Sequence, residues 1–150
     1  GFIGSLSREK GGSVYLEFIE KNEERFDFLY FGTDFDPLIQ DIKVADTSIN
    51  GLEKFFSSVD FLLLPYDVKH YKYTRAEVMF DCISYRTPFF VSDITDIREL
   101  SVKFNFGCSS FVMNSPDMFL DNFQSMSDLE ILGILNDQLT IFDRIHKNLS

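Results

Sequence analysis

The stretch Asp60-Phe-Leu-Leu-Leu-Pro-Tyr-Asp-Val-Lys-His-Tyr-Lys-Tyr-Thr-Arg-Ala-Glu-Val-Met-Phe-Asp81 decides the fold. Phe61, Leu62, Leu63 and Leu64 form a continuous apolar run, the pattern of a strand covered on both faces in the middle of a parallel sheet. Pro65 has no amide to donate and ends the strand. The segment from Asp67 to Tyr73 is polar. Thr74 and Glu77 then have the spacing of a capping box. Ala76, Met79, Phe80 and Ile83 recur at i, i+3, i+4 and i+7, the core stripe of a helix. The reading is strand, loop, capped helix. In an open α/β sheet, ligands sit beyond the carboxyl ends of strands and at helix N-termini. This loop is therefore the expected ligand site.

Working outward, the same alternation continues. Gly1–Ser5 reads as a strand end running into the turn Gly4–Gly12, and a helix follows over Gly12–Lys21. Phe26–Gly32 is a second strand, Thr33–Asp36 a polar turn, and Asp36-Pro37 a short helix start. Ile42–Ala45 is a weaker strand. Asn50 and Glu53 suggest a cap before a stripe of Leu52, Phe55, Phe56 and Val59. Pro88–Ser92 is a strand opened by proline, and Asp93 is expected to cap a helix to about Lys103. Ser110–Met113 reads as a last short strand and Asp117–Phe123 as a short helix. Ser127 and Glu130 cap a long helix to about Lys147. Its apolar stripe is wide, and part of it is expected to dock onto a further domain. Alternating strands and helices imply right-handed crossovers, a parallel sheet and helices on both faces. The expected class is α/β, with a Rossmann-like sheet.

The chain has 150 residues, read as a single domain over 1–150. Its opening, Gly1-Phe2-Ile3-Gly4, has no initiator methionine and already looks like a strand, which suggests a domain of a longer protein. Eighteen phenylalanines and no tryptophan imply a phenylalanine-filled core. A net charge of −10 argues against nucleic acid as a partner, because phosphate neutralisation needs clustered Lys and Arg. A small anion held by a few placed cations is compatible with it. Cys82 and Cys108 read as reduced, buried thiols of a cytoplasmic protein. No apolar run approaches a membrane span, and no signal peptide is evident.

Two places could carry chemistry. The glycine-bounded turn Gly4–Gly12 could meet a phosphate with its amides, and Lys10 could supply charge. It is neither G-x-G-x-x-G nor a P-loop, and on spacing alone a solvated turn is the better reading. At the second place, free amides at Thr74–Glu77 and the positive end of the helix dipole meet Arg75. An anion there would offset the unfavourable cation; an exposed arginine on a capped helix is the alternative. Asp81 could accept hydrogen bonds from ribose hydroxyls or be an ordinary exposed acid. No catalytic constellation is visible. His70 and His146 have no spaced metal partners, and Ser92-Asp93 reads as a strand end and a cap.

These residues resemble the C-terminal, donor-binding domain of group 1 glycosyltransferases, a retaining family of two-domain GT-B fold. The resemblance covers Gly1 to about Gly107. Phe2-Ile-Gly-Ser-Leu-Ser-Arg-Glu-Lys-Gly11 is similar to the family's Gly-Arg-Leu-x-x-x-Lys-Gly turn. Val59-Asp-Phe-Leu-Leu-Leu-Pro-Tyr66 is similar to the strand ending in Pro-Ser before the donor site. Asp81-Cys-Ile-Ser-Tyr-Arg-Thr-Pro-Phe-Phe-Val-Ser-Asp93 is similar to Glu-Ala-Met-Ala-x-Gly-x-Pro-Val-Val-x-Ser-Asp.

The resemblance implies a domain that binds a nucleotide diphosphate sugar as substrate, with no cofactor and no obligatory metal. The full-length enzyme would transfer the sugar, with retention, to a glycan, lipid or small-molecule acceptor, as in polysaccharide biosynthesis. Lys10 matches the lysine that holds the diphosphate, but Ser5 stands where the family has arginine. The paired acids Glu-x7-Glu become Tyr73 and Asp81, and Arg75 aligns with the glycine after the first acid. The expected reading is that Arg75 replaces the missing cation, with Gly4, Ser5, Lys10, Tyr73, Thr74, Arg75, Ala76 and Asp81 binding the donor. The partner it implies is an N-terminal acceptor-binding domain outside this chain. Membrane association is expected only through the rest of the protein, at the inner face of a cytoplasmic membrane. The isolated domain is expected to be inactive. The alternatives are a GT-B-like scaffold that has lost donor binding, and a flavodoxin-like or receiver-type signalling domain.

Overall fold

The computed structural model describes residues 1–3, 7, 10–32, 43–44, 50–113 and 116–149, with backbone alone at 43–44 and 116–119. The chain is mixed α/β, with parallel strands in two small sheets. The first sheet joins β1 (Phe2–Ile3), β2 (Leu29–Phe31) and β3 (Lys43–Val44), with β1 paired to β2 and β2 to β3. The second pairs β4 (Leu62–Leu64) with β5 (Phe89–Val91) in the register Leu62–Phe89, Leu63–Phe90, Leu64–Val91. Two hydrogen bonds join the sheets: Gly1 N–H donates to the Phe61 carbonyl (2.8 Å), and Leu63 N–H donates to the Gly1 carbonyl (3.0 Å). Reading across, the strands follow β3-β2-β1 and then β4-β5.

Side chains along these strands alternate between two cores, as the pleat requires. Phe2, Tyr30, Leu63 and Phe90 bury on one face. They meet Tyr15, Phe18 and Ile19 of α1 (Gly12–Lys21) and Leu120 and Phe123 of α5 (Pro116–Ser125). Ile3, Leu62, Leu64, Phe89 and Val91 bury on the other. There they meet α2 (Gly51–Ser58), α3 (Glu77–Ser84) and α4 (Thr95–Lys103) through Phe55, Phe56, Met79, Cys82, Ile97 and Leu100. Each fully buried side chain of this size contributes about 1.5–3 kcal/mol. The first core is largely aromatic: the Phe123 ring stands edge-on to Phe18 at 5.1 Å and to Phe90 at 5.0 Å, geometries that add to simple area burial.

The long helix α6 (Asp128–Leu149) serves both cores. Ile131 and Leu135 bury in the aromatic one, and Phe142 and Ile145 in the other. Ile131, Leu135, Phe142 and Ile145 are thus used inside this chain, and Ile134 and Ile141 pack half-buried against the same cores, while Leu149 of the stripe and Leu129, Leu132 and Leu139 beside it are exposed. Between the two sets, the fully buried Gln138 pairs with Phe89 on the edge of β5 that faces away from β4. Its Oε1 accepts from Phe89 N–H, and its Nε2 donates to the carbonyls of Phe89 and Ser110, each at 2.8 Å.

Several expected boundaries shift. The strand expected at 110–113 is a single parallel bridge of Val112 to Val91, preceded by a 3-10 turn at Cys108–Ser110. The strand expected at 26–32 shortens to β2. Ser127 caps α6 as expected, accepting from Glu130 N–H at 3.1 Å. Asn50 forms no side-chain cap on α2. Asp93 does not cap α4, whose N-cap is Ile94; its carboxylate is held by the Arg98 guanidinium instead. The turn and helix start expected at 33–37 lie outside the described residues. No helix among the described residues is long and apolar enough to cross a membrane.

Candidate functional site

β1 and β4 are neighbours, so the turns that leave their carboxyl ends adjoin. Gly11 fixes how closely. Its φ of +75° lies in the left-handed region, and a β-carbon there would come within 2.0 Å of the Pro65 carbonyl oxygen. The turn carrying Lys10 is thus pressed against the residue that ends β4. Gly4 and Ser5 lie outside the described residues.

Beyond Pro65 the chain is folded back by its own contacts. Asp67 Oδ1 accepts from the amides of Lys69 (2.8 Å) and His70 (3.3 Å), which starts a 3-10 turn over His70–Lys72. The Tyr66 and Tyr71 rings stack at 4.2 Å and anchor that turn to the core. Tyr73 follows with 86% of its surface exposed, and Thr74 and Arg75 are exposed too. The Arg75 guanidinium lies 4.8 Å from the centre of the Phe80 ring.

The helix start differs from the expected one. α3 begins at Glu77 with Ala76 as N-cap and no side-chain cap, so Thr74 and Glu77 do not form a capping box. Arg75 precedes the helix rather than lying in its first turn. The buried Ala76 donates its N–H to Asp96 Oδ2, in the first turn of α4, at 2.6 Å. The amide expected to meet a phosphate is therefore satisfied by a carboxylate of the chain itself. A charged acceptor at a helix N-terminus is favourable for the reason a phosphate would be. Asp96 lies twenty positions away, and only the packing of α4 beside α3 brings it there.

Asp81 is half-buried on α3. Desolvation, with a smaller contribution from Glu77, raises its carboxyl above the ordinary range. Burial holds the Tyr66 phenol in the neutral form, with smaller contributions from Tyr71, Cys82 and Asp81. Tyr73, Thr74 and Arg75 are contiguous on the surface. Ala76 is turned inward, and Asp81 stands apart on the flank towards Tyr66.

Ser92, at the end of β5, is fully buried and its hydroxyl has no hydrogen-bond partner, so it is no accessible nucleophile. Cys82 is buried, and desolvation pushes its thiol far up; Cys108 is only half-buried, contrary to expectation. Among the described residues no group of three or more His, Cys, Asp or Glu could hold a metal ion. A cavity of about 900 Å³ opens at the opposite, amino edge of the strands, lined by Tyr15, Phe26, Phe55, Phe61, Arg25 and Lys54. Comparison of the chain with protein-family models, curated proteins and solved structures finds no match.

Proposed function

We propose that this chain is the nucleotide-sugar donor-binding domain of a glycosyltransferase, with a Rossmann-like sheet of strand order 3-2-1-4-5 and the donor at its carboxyl edge. The observation that carries the reading is the seating of the Lys10-Gly11 turn on Pro65. It joins the turns after β1 and β4 at the point where the strand order reverses, the usual ligand position of such sheets. Lys10 and Arg75 would neutralise the diphosphate, and Asp81 would accept from ribose hydroxyls. Stabilising the departing nucleotide diphosphate is electrostatic work that needs no proton transfer by this domain. The acceptor and any further catalytic group belong to a partner domain. The Asp96 contact removes one backbone donor, the Ala76 amide, and shifts the burden to the two cations.

That same contact favours a second reading, a scaffold of the same fold whose anion site is filled from within. Thermal unfolding with UDP, GDP, ADP, CDP and their sugar conjugates separates the two. A ligand at 100 times its dissociation constant adds about 2.7 kcal/mol, or several degrees for a domain of this size. The donor reading predicts a shift with one base family that is lost in Lys10→Ala and Arg75→Ala. Absence of any shift across the panel supports the scaffold.

A further inference from the structure

Lys69, His70, Lys72 and Arg75 fall within seven residues, and no acid occurs between Asp67 and Glu77, in a chain of net charge −10. All four side chains are exposed, as is Tyr73 among them. Three acids near this edge are engaged, Asp67 by the amides of Lys69 and His70, Asp93 by Arg98 and Asp96 by the Ala76 amide, while the exposed Glu77 borders the run at the start of α3. Ion pairs between described residues include Lys21–Glu17, Arg25–Asp128, Arg86–Asp143 and Arg98–Asp93. None uses Lys69, Lys72 or Arg75. A diphosphate calls for the charge of Lys10 and Arg75, which leaves Lys69 and Lys72 unaccounted for.

We infer that the 3-10 turn and its flanks, Lys69 to Arg75, dock this chain on an anionic lipid surface. Three observations favour a membrane over other polyanions. Tyr73, an amphipathic ring held out among cations, has the chemistry of an interfacial anchor. The Lys72 ammonium lies 5.5 Å from the centre of that ring, so charge and aromatic surface are presented together. The rest of the molecule is strongly acidic. A planar surface meets the patch from one side and leaves the acids of the opposite, amino edge out of contact, whereas a nucleic acid strand would run past them. The patch also lies at the opposite edge from Glu23, Asp27 and Asp60, which border the large cavity together with Arg25 and Lys54. This surface goes beyond the donor reading and is tested without nucleotide.

The experiment is co-sedimentation of the chain with phosphatidylcholine vesicles, with and without phosphatidylglycerol, at low and physiological salt. The expected result is binding only to the anionic vesicles, weakened by salt. Each juxtamembrane lysine is worth roughly fivefold in partitioning, so Lys69→Glu with Lys72→Glu should reduce binding more than about tenfold. Tyr73→Ala should reduce it further. A control pair of equal charge change elsewhere, Lys54→Glu with Lys103→Glu, should cost far less. No binding of the intact chain to anionic vesicles at low salt overturns the inference. So does equal loss in the control pair, full competition by millimolar inorganic phosphate, or tighter binding to a single-stranded oligonucleotide. Donor binding is read separately by the nucleotide panel, so either proposal can fail alone.

Discussion

Asp81 and Asp93 lie twelve positions apart and respond to pH in opposite directions. Burial raises the Asp81 carboxyl, so the folded state holds that proton more tightly than the unfolded chain does. Its contribution to stability is complete below the ordinary carboxylate range and is lost as pH rises through its elevated pKa. Asp93 is lowered by its hydrogen bonds to Arg98, and its contribution is present above that range and lost as pH falls. Asp81→Asn should therefore stabilise the chain at neutral pH. The gain should be less than about 1 kcal/mol because the group is only partly buried. It should vanish where Asp81 is itself protonated. Urea unfolding at neutral and acid pH checks this; a difference independent of pH would show that Asp81 is not strained by its charge. At the same scale, Gly11 shows what a sequence holds without declaring it. Its place between Lys10 and Gly12 marks a turn, but its closeness to Pro65, where an added β-carbon would fall 2.0 Å from the carbonyl oxygen, becomes visible only once β1 lies beside β4.

Gln138 links two elements and is the sharpest test of how they are joined. It lies on the core face of a helix whose neighbouring positions are Ile131, Leu135, Phe142 and Ile145, and it pairs with Phe89 on the edge of β5 that faces away from β4, and with Ser110, through three hydrogen bonds. Gln138→Leu keeps the helix and its apolar face but leaves the Phe89 amide and the Phe89 and Ser110 carbonyls unpaired. A loss of about 2–4 kcal/mol is expected, with the denaturant midpoint falling and the m-value unchanged. A loss within a few tenths of a kcal/mol of zero would mean that this edge does not depend on the glutamine. The sequence made α1 and the core of α6 legible, because their apolar spacing and, in α6, the Ser127 cap agree with one another. It misled at α3 and α4. Thr74, Glu77 and Asp93 have capping chemistry at capping positions, but Asp96 and Arg98 compete for the same groups from other turns. The Ala76–Asp96 contact is tertiary and no local spacing encodes it, while the Asp93–Arg98 pair is local, five positions apart. The strand expected at 110–113 shortened for a similar reason: Gln138 takes the Ser110 carbonyl, leaving only the Val112 bridge to β5.

At the scale of the molecule, the two edges of the strands differ. The carboxyl edge carries the Lys10 turn and the basic run from Lys69 to Arg75; the amino edge opens into the cavity bordered by Glu23, Asp27 and Asp60. The α/β class and burial on both faces were legible from the alternation of apolar runs and helical stripes. Of the candidate site, only the positions of its residues can be compared with the sequence. The cations Lys10 and Arg75 stand at the edge where strand topology puts ligands, but the occupant of the Ala76 amide was not foreseeable. The proposed donor site lies at the carboxyl edge beside β1 and β4. The most direct measurement is an amide-resolved NMR titration of the chain with the nucleoside diphosphate that gives the largest thermal shift, or with UDP if none does. Binding there should shift Lys10–Gly12, Pro65–Ala76 and Asp96, with Arg25 and Lys54 unmoved. Shifts centred on Arg25 and Lys54 at the amino-edge cavity, or none at saturating nucleotide, would contradict it.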